Sequence, residues 1–257
     1  MRYNITNLAG LSAFAALLAA PAMAAPPAAE ERLDFIKANT LWIFYHELGH
    51  AIIDQMELPV LGKEEDAADQ LAILLSDTVW DDQTSALIST HVAAAFRAAD
   101  ATATEPFPWW EEHAADLQRY FSVACLYYGG DPDGRAELPE RAGLPPERAE
   151  LCIAERALME ASWGGFLAEM EDLPGGYAPQ FADESDGAAP QIAALLAGEL
   201  AEMSQVIRFP EPLRVLFAPC GEENAFYDPD LSEIQICTEY ADFMGRLYDA
   251  SRAGDAP

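Results

Sequence analysis

The stretch HELGH, residues 46–50, places two histidines and a glutamate at the spacing of an HExxH metal-binding motif. Residues four apart share one face of a helix, so His46 and His50 can bind the same metal ion. Zinc lowers the pKa of a bound water to about 7, and Glu47 can then take the proton from that water. The motif predicts a zinc site with Glu47 as the general base of peptide-bond hydrolysis.

A catalytic zinc needs a third protein ligand and one open position. Asp54 shares the face of His46 but lies about 12 Å further along the helix, too far for the same ion. After a short loop, EEDAAD places Glu65 and Asp69 on one helical face, with small alanines between them that allow close helix packing. We expect Glu65 to be the third ligand of one Zn2+ per chain, and Asp69 to hold a ligand histidine through a hydrogen bond.

Two other carboxylates stay open as alternatives for the third ligand. Glu64 would take this position if the helical register were shifted by one residue. Glu112 begins a second glutamate-to-aspartate pair of the same spacing, at residues 112–116. Glu65 ranks first because the short loop after the HExxH segment brings it close most easily.

A peptidase also needs a group that stabilises the oxyanion of the transition state. His113 is our first candidate, with Arg119 and Tyr120 as alternatives on the same predicted helix. We interpret Trp109 and Trp110 as anchors of the core or of a loop rather than as a binding platform.

The first 24 residues have the features of a secretory signal peptide. Arg2 gives a positive start, Leu8–Ala20 is apolar but shorter than the roughly 20 residues that span a bilayer, and Ala22-Met23-Ala24 is a small-x-small cleavage site. Residues 25–30 are then a flexible leader, and residues 31–257 form a single domain. The sequence predicts export to the periplasm or the medium, with no membrane span after cleavage.

The net charge of the chain argues against two classes of partner, nucleic acids and anionic membranes. The chain carries 44 acidic and 14 basic residues, for a formal net charge of −30. Such a surface repels the phosphates of nucleic acids and the headgroups of anionic membranes. The chain lacks the GxSxG motif, so serine hydrolysis has no support. The partner expected from the HExxH motif is a peptide or protein substrate.

The four cysteines are Cys125, Cys152, Cys220 and Cys237. None is in a CxxC spacing, so a thiolate zinc site is not expected, and an exported chain would have them oxidised. Four cysteines allow three pairings. We favour Cys125 with Cys152 and Cys220 with Cys237, because these pairs close the smallest loops.

Periodicity indicates a mostly helical protein of the α+β class. Helices are predicted near residues 31–56, from 64, 83–100, 109–129, 145–170 and 239–250. The segments LRVLFAPC and SEIQIC have strand character and predict a C-terminal hairpin clamped by its two cysteines. The stretch LPGGYAPQFADESDGAAP reads as a loop.

HELGH followed by EEDAADQLA resembles the glutamate-ligand zinc peptidases, whose second motif is roughly ExxxD. With FYHELGHAIID, EEHAADLQRYFSVACLYYG and CGEENAFYDP, the chain more closely resembles a bacterial family of candidate metallopeptidases. The resemblance implies a zincin-like domain with His46, His50 and Glu65 as ligands and Glu47 as base. It also implies that the hairpin at 213–237 supplies the edge strand that binds substrate.

The alternative function is a catalytically silent metal-binding or protein-interaction module on the same scaffold. Glu47 favours an enzyme, because a structural metal site does not need a base at this position. A structural zinc site also tends to have four protein ligands, and the sequence offers three.

Overall fold

The computed structural model describes residues 27–171 and 173–254, which form eight helices and one four-stranded sheet. The helices are α1 (Pro27–Gln55), α2 (Glu64–Thr78), α3 (Asp82–Thr102), α4 (Asp116–Gly130), α5 (Leu138–Ala142), α6 (Pro146–Glu171), α7 (Pro190–Val206) and α8 (Thr238–Gly254). The strands are β1 (Gln180–Asp183), β2 (Arg214–Ala218), β3 (Ala225–Asp228) and β4 (Glu233–Cys237). The predicted signal peptide, residues 1–24, lies outside the described residues. Helix α1 begins within the stretch expected to be a flexible leader.

Helix α1 lies at the centre of the molecule. It packs against α2, α3, α7 and α8 and against strands β3 and β4. Phe44, Tyr45, Leu48, Ala51 and Ile52 are fully buried along it. A helix that is apolar around most of its circumference must be covered on most sides, so the HExxH segment is held in the core rather than on the surface.

Helices α1 and α2 approach closely because small residues meet at their contact. A Cβ atom added to Gly49 would lie 2.9 Å from the Cα atom of Ala68, a distance at which the backbones would have to move apart. The first turn of α2 contains Glu64, Glu65 and Asp66, which suit the positive end of the helix dipole. This packing brings the acidic turn of α2 beside the HExxH segment of α1.

The sheet has the strand order β1-β2-β4-β3. Strands β1 and β2, and β2 and β4, are parallel, whereas β3 pairs antiparallel with β4. The mostly helical α+β class is confirmed, but the hairpin differs in detail from the one expected. The two predicted strands, β2 and β4, are parallel neighbours, and the hairpin is formed by β3 and β4. The turn-rich segment between the predicted strands contains β3, which forms the edge facing α1.

Three further segments differ from the sequence expectations. Strand β1 lies in the stretch read as a loop, and α7 was not predicted. Residues 109–115 precede α4 as a loop rather than forming its first turns, so Glu112 and His113 are loop residues. Contacts distant in sequence hold this loop, since Lys63 Nζ donates to the carbonyl oxygen of Glu111 at 2.9 Å.

Both predicted disulfides are confirmed. Cys125–Cys152 joins α4 to α6, and Cys220–Cys237 joins the segment after β2 to the end of β4. The carboxylate of Glu239 accepts hydrogen bonds from the backbone N–H groups of Cys220 and Gly221 beside the second bridge. Within residues 27–171 and 173–254, no helix has the length and apolar character needed to cross a membrane.

Candidate metal centre

The side chains of His46, His50 and Glu65 meet at one point between α1 and α2. Glu65 Oε2 lies 3.1 Å from His46 Nε2 and 3.4 Å from His50 Nε2, and the two Nε2 atoms are 3.3 Å apart. With metal–ligand bonds of about 2.0–2.2 Å, the ligand atoms of a tetrahedral zinc site lie about 3.3–3.6 Å apart. The three atoms therefore fit a single zinc ion with little movement, and they form a group that could hold a metal.

Each ligand histidine is held through its other ring nitrogen by a carboxylate. His46 Nδ1 lies 2.7 Å from Asp69 Oδ1, and His50 Nδ1 lies 2.8 Å from Glu64 Oε1. Such contacts fix the tautomer and the ring orientation, so that Nε2 is directed at the metal position. The sequence suggested this role for Asp69 but offered Glu64 only as a substitute ligand. The two consecutive glutamates at the start of α2 are the signal that could have predicted one glutamate as a ligand and the other as the partner of His50.

Arg119 on α4 holds Asp69 in place. Its Nε and Nη2 atoms donate to the two Asp69 carboxylate oxygens at 2.8 and 2.7 Å, and its guanidinium lies over the rings of Trp42 and Phe96. Burial would raise the pKa of Asp69, but the Arg119 charge and the His46 hydrogen bond outweigh it and lower the pKa. Asp69 is therefore ionised, and its carboxylate accepts hydrogen bonds from both His46 and Arg119.

Protons and metal ions compete for these ring nitrogens. Burial would lower the pKa of His50, but the hydrogen bonds to Glu65 and Glu64 outweigh it and raise the pKa to about 9. The pKa of Glu65 is lowered despite its partial burial, because three histidines surround its carboxylate. A metal ion that binds to these ring nitrogens would therefore displace protons from them.

Glu47 lies next to the ligands and faces the same cleft. Its side chain lines the cleft although the residue is only 5% exposed. Burial raises the pKa of its carboxyl group, while the charges of His46 and His50 and the backbone N–H of Tyr227 oppose that rise. A carboxylate with a raised pKa is suited to accept a proton from water and release it again near neutral pH.

A third imidazole, that of His113, also reaches Glu65. His113 Nε2 lies 2.8 Å from Glu65 Oε2, and its ring stacks on that of His46 with the centroids 6.0 Å apart. The other two oxyanion candidates are engaged elsewhere. Arg119 is bound to Asp69, and the Tyr120 hydroxyl donates to the carbonyl of Ala142 at 3.2 Å.

Glu112, the rival third ligand, does not reach the cluster. Its residue is exposed in the loop before α4, and it belongs to none of the metal-capable groups found in the described part of the chain. Asp54 is also separate from the ligands, as its distance along the helix predicted. Its Oδ2 accepts a hydrogen bond from the Tyr227 hydroxyl at 2.7 Å.

The ligand cluster opens into a cleft of about 620 Å3 that is walled on one side by β3. Asn224, Ala225, Phe226 and Tyr227 line this wall. The N–H of Cys237 on β4 donates to the carbonyl of Asn224, so residues 224 and 226 are the ones that exchange hydrogen bonds with β4. The N–H and C=O groups of residues 225 and 227 are thus directed away from β4, towards the cleft.

Two packed helices that present imidazoles, a carboxylate and a buried glutamate to one cleft define a candidate metal-dependent hydrolase. A family model described as "Putative metallopeptidase" matches residues 14–167 and 188–255. The chain belongs to this family. Neither the curated proteins nor the solved structures contain a significant match to the chain. The family description indicates a metal-dependent peptidase, and the site supplies three residues that could hold a metal.

Proposed function

We propose that the protein is a zinc-dependent peptidase in which His46, His50 and Glu65 bind one Zn2+. The observation that carries the proposal is the meeting of two Nε2 atoms and one carboxylate oxygen at the separations of a tetrahedral zinc site. When bound, the ion would supply a water of lowered pKa and polarise the scissile carbonyl.

Glu47 is the general base in this proposal. It accepts the proton of the attacking water and passes it to the leaving nitrogen, so that the peptide bond breaks to give a carboxylate and an amine. Its burial beside the ligands and its raised pKa support this role. Asp69 and Glu64 act through His46 and His50, by holding their rings in the orientation that ligation requires.

His113 is proposed to stabilise the oxyanion. Its Nε2 lies 2.8 Å from the carboxylate oxygen of Glu65 and its side chain lines the cleft, which places an imidazole donor beside the candidate metal position. The same distance is compatible with His113 as a further metal ligand. A His113→Ala variant distinguishes the two roles, because loss of an oxyanion donor lowers kcat at full zinc content, whereas loss of a ligand lowers zinc content.

Strand β3 is proposed to bind the backbone of the substrate. The N–H and C=O groups of residue 225 and the C=O group of residue 227 are directed towards the cleft, where an extended peptide can pair with them as an added strand, whereas the N–H of Tyr227 contacts Glu47. Backbone pairing of this kind leaves side-chain selection to neighbouring surfaces.

Export to the periplasm or the medium is part of the proposal. The apolar N-terminal stretch supports it, and so do the two disulfides, which persist in oxidising compartments.

A second candidate function is a metal-binding module without turnover. The proximity of His113 to Glu65 favours it, since a fourth protein ligand would close the coordination sphere as in structural zinc sites. In that case no position remains for water, and Glu47 has no reaction to serve.

The deciding experiment combines metal analysis with a broad peptide-library assay. The purified mature protein is expected to hold about one zinc per chain, and His46→Ala and Glu65→Ala are expected to lose it. Glu47→Gln is expected to keep the zinc and lose cleavage. Asp66→Ala, an exposed change on the same turn of α2, is the matched control and keeps both.

Two outcomes contradict parts of the proposal. Cleavage retained by Glu47→Gln would remove Glu47 as the base. Full zinc loading of the unaltered protein without turnover on any library member would favour the second candidate function.

A further inference from the structure

Three large apolar side chains are almost fully exposed on the loop between α1 and α2 and the loop between α3 and α4. Leu61 is 101% exposed, Trp109 is 81% exposed and Trp110 is 87% exposed. The expectation that the two tryptophans anchor the core is therefore wrong, whereas Trp109 does contact Phe107 within its own loop. Neighbouring large apolar side chains in contact with water mark sites of interaction more often than single scattered ones do.

These residues lie on two loops that are joined to each other. Leu61 belongs to the loop between α1 and α2, and the tryptophans belong to the loop between α3 and α4. Lys63 Nζ donates to the carbonyl oxygens of Glu111 and His113 at 2.9 and 3.5 Å, which ties the first loop to the second. We call Leu61, Trp109 and Trp110 the tryptophan surface.

Both loops that carry the tryptophan surface lead along the chain into residues that line the cleft. The first loop leads directly into Glu64 and Glu65, and the second leads within three residues into His113. The Trp109 ring is also fixed by an edge-to-face contact with Phe107, with the centroids 5.2 Å apart. A side chain that is held in place while exposed loses little conformational freedom when a partner covers it.

Acidic residues lie on both sides of the two tryptophans in the sequence. Glu105, Glu111 and Glu112 flank the two tryptophans and are all exposed. They complement an apolar partner that also carries positive charge, and they oppose contact with anionic lipid headgroups. A second copy of the chain would bring another net charge of −30 against them.

We propose that the tryptophan surface docks an apolar segment, flanked by Lys or Arg, of the polypeptide that the cleft hydrolyses. This inference rests on the proposed function, because it assigns the surface to the substrate of the same site. It makes the protein selective for unfolded or extended polypeptides that expose apolar residues, since folded proteins bury such segments. Tryptophan is among the residue types that contribute most strongly to such contacts.

The test measures binding in the Glu47→Gln background, so that it does not depend on turnover. Two synthetic peptides of equal length carry the same lysines, one with a Leu/Phe segment and the other with a Ser/Gly segment. Changing both Trp109→Ala and Trp110→Ala is expected to weaken binding of the apolar peptide by about tenfold or more. Binding of the Ser/Gly peptide is expected to be weak and unchanged. Leu151→Ala, at a residue 56% exposed on α6, is the matched control and should have no effect.

Intrinsic fluorescence gives an independent readout. Binding of the apolar peptide should shift the emission of the parent protein to shorter wavelength, as exposed indoles become covered. The double variant retains Trp42, Trp80 and Trp163 and should show no shift. Unchanged zinc content and melting temperature of the double variant establish that it is folded.

Several results would overturn the inference. Equal binding of the apolar peptide by the parent and the double variant is one. Tryptophan-dependent binding to zwitterionic vesicles without binding to the peptide would assign the surface to membranes instead. A dimer of the parent protein that is lost in the double variant would assign it to self-association. Absence of turnover in the unaltered protein would leave the peptide-binding result intact, so failure of the proposed function is distinguishable from failure of this inference.

Discussion

Helix α2 carries two buried carboxylates, Asp69 in its first half and Asp77 near its C-terminal end, and the two have different surroundings. Asp77 meets Arg156 at 2.8 Å and Arg135 at 2.5 Å, in a network closed within the protein. Asp69 meets Arg119 on one side and His46 on the other, and from there the contacts continue to the cleft. The network at Asp77 joins helices to one another, whereas the network at Asp69 orients the candidate ligand His46.

The closed network at Asp77 satisfies its charges internally. Arg156 is only 2% exposed, and besides Asp77 it contacts Glu160 and the carbonyl of Leu126. Ser85 on α3 also donates to Asp77 at 3.0 Å. These contacts connect four elements, so their contribution is to the stability of the helical half.

The open network at Asp69 leaves negative charge at the cleft. Glu47, Asp54, Glu64 and Glu65 line the cleft, whereas Arg119 is the one guanidinium there in the described part of the chain. Arg119 is already neutralised by Asp69. The remaining carboxylates favour a cation at the imidazole cluster. The network at Asp77 does not have this effect, because it ends inside the protein rather than at the cleft.

The largest expected effect is on stability, from Asp77→Ala. This change leaves the guanidiniums of Arg156 and Arg135 without their shared carboxylate and is expected to lower the free energy of unfolding by about 3–5 kcal/mol. Urea denaturation measures it. Zinc content per folded molecule should stay unchanged, and a parallel loss of zinc would show that the two ends of α2 are not independent.

Removal of the metal should lower stability through the Glu65 site, in the first turn of α2, rather than through Asp77. At free zinc about 100-fold above the dissociation constant, binding is expected to stabilise the protein by about 2.7 kcal/mol, which a chelator removes. Asp77→Ala should retain this increment, whereas Glu65→Ala should lose it. Melting temperatures with and without chelator test this, and an increment that persists in Glu65→Ala would exclude Glu65 as a ligand.

Gly49→Ala tests the packing that brings α1 and α2 together. The added methyl group would lie 2.9 Å from Ala68 Cα, and overpacking of this kind is expected to cost about 1–3 kcal/mol and to weaken zinc binding. Gly165→Ala in α6, where a Cβ would meet nothing within 4 Å, is the matched control. It should stabilise the helix by up to about 1 kcal/mol and leave zinc affinity unchanged.

Asp69→Asn tests the orientation of His46. Zinc affinity is expected to fall by about 10–100-fold, because an amide holds the ring less firmly than an ionised carboxylate. Competition with a chromophoric chelator measures the affinity. Asp66→Asn, on the exposed side of the same turn, should bind zinc normally, and equal affinities for both variants would count against the role of Asp69.

The smallest effect is expected from His91, which lies outside both networks. Burial lowers the pKa of His91 in the folded protein, so the unfolded chain takes up the proton first as the pH falls. The stability that depends on neutral His91 is therefore fully present above the unfolded pKa of about 6.5, and it declines as the pH drops below that value. Denaturation across this range should show a shallower loss of stability for His91→Leu than for the parent protein.

Much of the candidate metal site could be predicted from spacing along the chain. The HExxH spacing fixed the relative placement of His46 and His50, because the helix is regular. The alanines in EEDAAD indicated close packing of α2, and the short loop favoured Glu65 over Glu112. The nearest-neighbour rule gave both disulfides because the alternatives would close longer loops.

Other features depended on contacts that local patterns do not encode. Strand β1 has four residues between turn formers and exists through pairing with β2, more than 30 residues later. The parallel arrangement of β2 and β4 requires the chain between them to cross over, and this segment forms β3 at the edge of the sheet. The sequence also offered no signal that the two tryptophans would be exposed, because apolar side chains are usually buried.

The sequence by itself determined that α1 presents two imidazoles and a glutamate on a regular helix, since 3.6 residues per turn fix these positions locally. Only the tertiary structure decided which partners they meet. Arg119 reaches Asp69 across 50 residues, and His113 reaches Glu65 across a comparable stretch of chain. Such contacts depend on how whole helices pack against one another, which the spacing within a single helix does not specify.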